Sequence, residues 1–97
     1  MDSLPKDLVA RTLGLQLLRA GCSVAANYRA ATRAKSRADF IAKLGIVEEE
    51  CDESIHWIEL LVDSGRIKEA KVSRLKQEGA EILAMVVASI RTAKAHR

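Results

Sequence analysis

Residues 36–65 read SRADFIAKLGIVEEECDESIHWIELLVDSG, and this stretch decides the fold. Phe40, Leu44, Val47, Cys51, Ile55, Ile58 and Val62 recur at spacings of three and four, the period of one apolar face on an α-helix. Ser36 followed three residues later by Asp39, just before Phe40 and Ile41, resembles a capping box with Asp in place of Glu or Gln. Gly65, directly after Asp63 and Ser64, suits the left-handed residue that ends a helix. The reading is a helix over about 37–64, bounded at both ends by its own sequence.

The flanking segments carry the same period. Before the central stretch, Leu8, Leu15, Leu18, Cys22 and Ala25 mark one stripe, widened by Leu4, Val9, Leu13, Leu17, Val24 and Tyr28. A first helix is expected over about 6–31, with Asp2 or Ser3 as its cap and Pro5 in its first turn. After the central stretch, Val72, Leu75, Gly79, Ile82, Met85 or Val86, and Ile90 define a third helix over about 68–94. Arg91, Lys94 and Arg97 fall near its C-terminus, where positive charge is favourable. The connections around 32–35 and at Gly65 are short, so neighbouring helices run antiparallel. The expectation is an all-α, antiparallel helical bundle of three long helices, one domain over residues 1–97.

Composition supports this and narrows it. The chain has 97 residues, 48% of them hydrophobic but only 3% aromatic, so the core is aliphatic. One Pro and five Gly disfavour a turn-rich β fold. No run is apolar enough to span a membrane, and the start lacks a signal-peptide pattern, so a cytoplasmic protein is expected. Cys22 and Cys51 are far apart, with no C-x-x-C pattern, and are read as two buried thiols. The formal charge of +3 is laid out unevenly: residues 44–65 hold seven acids and no base, while the flanking segments are basic. Acidic and basic faces are therefore expected to meet within the bundle or between subunits.

Little in the sequence points to catalysis. Glu53 and His56 form one Glu-x-x-His element, too little for a bundle metal site without carboxylates from facing helices. Ser23 and Ser54 have no local His/Asp partner for nucleophilic catalysis. No Gly-rich phosphate loop follows a strand. The reading is no enzyme, no metal and no cofactor. Arg29, Arg33, Lys35 and Arg37 form a basic group that suits phosphate contacts, which makes DNA or RNA a candidate partner.

The segment from Gln16 to Ala30, with Arg19, Ser23, Val24 and Asn27 in order, resembles the signature stretch of the four helix bundle proteins, also described as 23S rRNA intervening-sequence proteins. Arg33, Ser36, Phe40 and Ile41 resemble the next family segment, and the acidic run 48–53 with Trp57 onward resembles one branch of it. The resemblance extends from about Leu4 to Ala93. It implies a small helical protein that assembles into homo-oligomers, often pentamers. It also implies links to rRNA intervening sequences and to nucleic-acid-binding accessory proteins, and no known activity. Typical members have a further helix ahead of the segment matching Leu4-Pro5-Lys6, so a bundle lacking that helix is expected, its surface covered by another subunit. By the same resemblance Arg19 and Asn27 are structural polar residues at the core or a subunit boundary, with Asn27 satisfying a helix end or loop. Opposite charge on antiparallel segments points to Glu48 or Glu49 as the partner of Arg19, and Trp57 is read as covering an inter-helix or inter-subunit surface. The functional expectation is an oligomeric helical scaffold or protein-interaction protein. The alternative is a nucleic-acid-binding accessory protein.

Overall fold

The computed structural model describes residues 6–96. The expected cap at Asp2 or Ser3, the Pro5 first turn, and Leu4 and Arg97 lie outside them. Three α-helices follow one another: α1 (Lys6–Thr32), α2 (Arg37–Asp63) and α3 (Glu69–Ala95). Each has 27 residues, about 40 Å at ~1.5 Å per residue. They pack antiparallel as an all-α bundle, with α1 and α3 running in one direction and α2 in the other.

Local chemistry sets the ends of α2. The Ser36 hydroxyl accepts the Asp39 backbone N–H at 3.0 Å, satisfying one of the four donors that a helix start leaves free. At the other end Gly65 adopts φ 78°. Its N–H reaches the Val62 carbonyl at 2.9 Å and the Arg66 N–H reaches Leu61 at 3.0 Å, the paired bonds of a Schellman motif. A residue with a Cβ is strained at this φ, so the sequence puts glycine there.

α2 is the floor of the bundle. Both other helices pack on it, and among the described residues α1 and α3 make no backbone approach to each other. The core is small. Ala31 of α1, Leu44 and Val47 of α2 and Val86 of α3 form one buried cluster, with Val24, Phe40 and Ile90 against it. A second close approach lies further along: Cys51 Sγ donates to the Gly79 carbonyl at 3.3 Å, and a Cβ on Gly79 would stand 3.4 Å from Ile55 Cγ1. A Cβ there would only reach ordinary contact with Ile55, so α3 lies on α2 at normal packing distance at this point.

Burial corrects the expected face of α1. Its stripe of Leu8, Leu15 and Leu18 is exposed, and the buried residues are Ala20 and Ala31. Small side chains at 20 and 31 let α1 lean closely on α2, which rotates the larger leucines outward. Cys22 is exposed rather than buried, whereas Cys51 is buried. On α3 the choice between Met85 and Val86 resolves to Val86, which is 1% exposed.

Candidate functional site: a polar seam, an apolar groove and a basic end

One edge of the α1–α2 contact is polar. Gln16, Arg19, Ser23 and Asn27 are three or four residues apart, so they lie on one face of α1. Arg19 Nη1 donates to Glu50 Oε2 at 2.9 Å, and Nη2 pairs with Glu53 Oε1. Arg19 Nε donates to Gln16 Oε1 at 3.2 Å, which fixes the guanidinium plane. Trp57 Nε1 donates to the same Glu53 Oε1 at 3.1 Å. Asn27 Nδ2 donates to the Ser23 carbonyl at 2.9 Å and to Ser23 Oγ at 3.2 Å. The Ser23 side chain, and after it Arg19, hold the Glu50 carboxyl below its ordinary value against the opposing effect of burial.

Two expectations are corrected here. Arg19 does not pair with Glu48 or Glu49. The three-residue step from Glu50 to Glu53 keeps those two on the face of α2 turned to α1. Glu48 and Glu49 fall on the other side, near Leu83 and Val87 of α3. Asn27 satisfies its own helix one turn back rather than a helix end. The members missed in the sequence are Ser23, Glu50 and Glu53. Their signal was the matched spacing of 19, 23 and 27 on one helix with 50, 53 and 57 on the next.

The opposite edge is apolar. Between α1 and α3, over a floor of Cys51, Ile55 and Ile58, lies a groove of about 480 Å³. Leu18, Gly21 and Cys22 form one wall, and Leu75, Gly79 and Ile82 form the other. Nearer the α1–α2 connection a separate recess of about 90 Å³ is lined by Tyr28, Phe40 and Met85, among others. Leu18 is 61% exposed and Leu15 58% on one rim, and Leu75 is 50% exposed on the other.

The basic group lies at the connection end. Arg29, Arg33, Lys35 and Arg37 are all exposed there. Antiparallel packing brings the C-terminus of α3 to the same end, so Lys94 lines one depression with Arg37, Ala38 and Ile41. Among the described residues no carboxylate forms an ion pair with any of these five cations.

His56 is exposed, its ring 5.2 Å from that of Trp57. Among the described residues no group of three or more His, Cys, Asp or Glu is placed to hold a metal ion. No described helix is long and apolar enough to cross a membrane.

Three antiparallel helices with one polar seam and one open apolar edge define a small all-α bundle protein. The sequence pattern of the 23S rRNA-intervening sequence protein family matches residues 1–88, and the chain belongs to that family. It is similar to the crystal structure of a protein of unknown function from the S23 ribosomal protein family of Bacteroides thetaiotaomicron VPI-5482. The two are 37% identical, the TM-score is 0.78, and the match covers 80% of this chain and 72% of that one. Comparison with curated proteins finds no match.

Proposed function

We propose that the protein is a homo-oligomeric helical scaffold of the cytoplasm, acting by binding other chains and not by catalysis. The observation that carries this reading is the apolar surface left open on α1 and α3. Leu8, Leu15, Leu18, Leu75, Ile82 and Met85 are all exposed on these two helices. A monomer that keeps so continuous an apolar surface in water is unusual, and such surfaces mark interaction sites. The polar seam supports the same role, because its side chains bond to one another and to their own helices rather than converging on a vacant reaction centre. Light scattering on the purified chain tests the reading. A mass above that of one chain is expected, and a monomer across the micromolar range would overturn it.

A second reading, nucleic-acid binding, is favoured by one observation: Arg29, Arg33, Lys35 and Arg37 share an end of the bundle with Lys94 and with no paired carboxylate among the described residues. Unpaired cations at one surface are free to neutralise phosphates. A salt-titrated DNA and RNA binding assay tests it, and salt-insensitive failure to bind would remove it.

A further inference from the structure

We infer that Tyr28 is a base-stacking residue, and that the nucleic acid taken at the basic end of the bundle is single-stranded. The inference rests on the nucleic-acid reading and goes beyond its phosphate contacts.

The first argument is the ring. The chain has one Phe, one Trp and one Tyr. Phe40 and Trp57 are half-buried, whereas Tyr28 is 46% exposed. With Phe40 and Met85 it lines the recess of about 90 Å³ near the α1–α2 connection, where Thr32 and Ser89 add hydroxyls to the wall. An aromatic face beside a recess of mixed polarity suits a nucleobase, which is flat and apolar on its faces and polar at its edges.

The second argument is the charge beside the ring. Arg29 follows Tyr28 directly, and Arg33 shares the face of Arg29 one turn on, about 6 Å along α1. Both are exposed, and among the described residues neither pairs with a carboxylate. A base on Tyr28 therefore carries the phosphates of its own strand to two free cations. A neutral apolar ligand would leave the arginines without a role. A polyanion without bases would leave the ring without one.

The third argument is the path around the end. Ser89 belongs to the recess, and Lys94 to the depression that Arg37 lines. These two residues are about 140° apart around α3 at ~100° per residue, so the recess and the depression open on different sides of that helix. The bundle measures 21 × 18 Å across its Cα atoms. A duplex stays stiff over about 150 base pairs and keeps its bases stacked inside, so it reaches one side of this end and offers no base to Tyr28. A single strand bends around the end and presents unstacked bases.

The test is fluorescence anisotropy with labelled oligouridylate and with an RNA duplex of the same length, each across a salt series. It compares the wild type with Tyr28→Leu, Tyr28→Phe and Arg29→Gln. Tyr28 and Arg29 are exposed, so the variants keep the fold, which circular dichroism checks. The wild type is expected to bind oligouridylate more tightly than the duplex. Tyr28→Leu weakens oligouridylate binding about tenfold or more at an unchanged salt slope, because it removes stacking and no charge. Tyr28→Phe stays near the wild type, and neither substitution moves duplex binding. Arg29→Gln lowers the magnitude of the slope instead. A wild type that binds both ligands equally, with Tyr28→Leu unchanged, overturns the stacking role and leaves the nucleic-acid reading standing. Equal losses from Tyr28→Leu and Tyr28→Phe also overturn it, since they assign the effect to the hydroxyl. A Tyr28→Leu variant whose mass by light scattering differs from that of the wild type gives the ring to an interface between chains and overturns it as well. A wild type that binds neither ligand at low salt removes both the inference and the reading beneath it.

Discussion

Arg19 and Glu50 meet at 2.9 Å across the α1–α2 contact. The two ends of this pair are unequal: the Glu50 side chain is 14% exposed and that of Arg19 49%. Removing Arg19 leaves a largely covered carboxylate without its cation, whereas removing Glu50 leaves an arginine that water can solvate. Arg19→Ala is therefore expected to cost about 1–2 kcal/mol and Glu50→Gln less. The two should couple by about 0.5–1 kcal/mol in a double-mutant cycle followed by urea unfolding. Trp57 is the single tryptophan, and its indole donates to Glu53 in the same seam, so its emission reports the change directly. Additive single substitutions would remove the seam as a determinant of packing.

The lowered pKa of Glu50 makes the seam sensitive to acid. Its folded value lies below the ordinary 4.5, so its ionised form favours the folded state. That contribution is fully present above about pH 4.5 and is lost as the pH falls through the folded value. Ser23 is the largest cause of the shift, so Ser23→Ala moves the loss to higher pH, and Glu50→Gln abolishes this part of the pH dependence. Urea midpoints at a series of pH values between about 3 and 7 measure both effects. Superimposable profiles for the wild type and Glu50→Gln would exclude Glu50 as the source.

The helices were legible because their signals are local: the period of three and four, Ser36 with Asp39, and Gly65. Of the seam expected on α2, Leu44, Val47, Cys51 and Ile58 are buried, and Phe40, Ile55 and Val62 are half-buried. The buried face of α1 differs from the expected stripe for a physical reason. Periodicity finds an apolar stripe but cannot say which surface covers it, and small Ala20 and Ala31 outcompete the leucines for close contact with α2. The partner of Arg19 differs from the expected Glu48 or Glu49 because the acids from Glu48 to Glu53 circle α2 at about 100° per residue, so the run offers carboxylates to both neighbouring helices and the packing of α1 decides which ones meet Arg19. The joining of Lys94 to the basic group had no local signal, since it depends on how α3 lies across α2.

Core and turn should respond differently to substitution. Leu44→Ala opens a void in the buried cluster and is expected to cost about 2–4 kcal/mol. Gly65→Ala forces a Cβ into φ 78° and is expected to cost about 1 kcal/mol with no loss of helix content. Thermal unfolding followed by circular dichroism measures both. A Gly65→Ala variant as stable as wild type would mean that the α2–α3 turn relaxes out of its left-handed conformation.

The two thiols should differ in chemistry. Cys51 is buried and donates to the Gly79 carbonyl. Burial, reinforced by the charge of Asp52, pushes its pKa up, so little of the reactive thiolate is present near neutral pH. Modification of Cys51 by iodoacetamide should follow the urea unfolding curve, read by peptide mass spectrometry. Rapid modification of Cys51 in the native protein would show that α3 does not stay on α2 at Gly79.

The basic end gives the prediction that separates scaffold from nucleic-acid binder. If Arg29, Arg33, Lys35 and Arg37 contact phosphates, replacing each by Gln should weaken DNA and RNA binding to a similar degree across sequences. Each replacement should also reduce the magnitude of the salt slope by about 1. Lys94→Gln should have the same effect, because α3 delivers Lys94 to the depression that Arg37 lines. Lys68→Gln, at the start of α3 and the far end of the bundle, should change neither quantity. The comparison between Lys94 and Lys68 matters most. Both are exposed lysines on the same chain with the same effect on net charge, so a difference between them can come only from position. Equal losses from the two would reduce the interaction to general attraction between a basic protein and a polyanion. Loss confined to Lys94 and the connection residues would make that end of the bundle a binding surface in its own right, on a part of the molecule separate from the apolar groove.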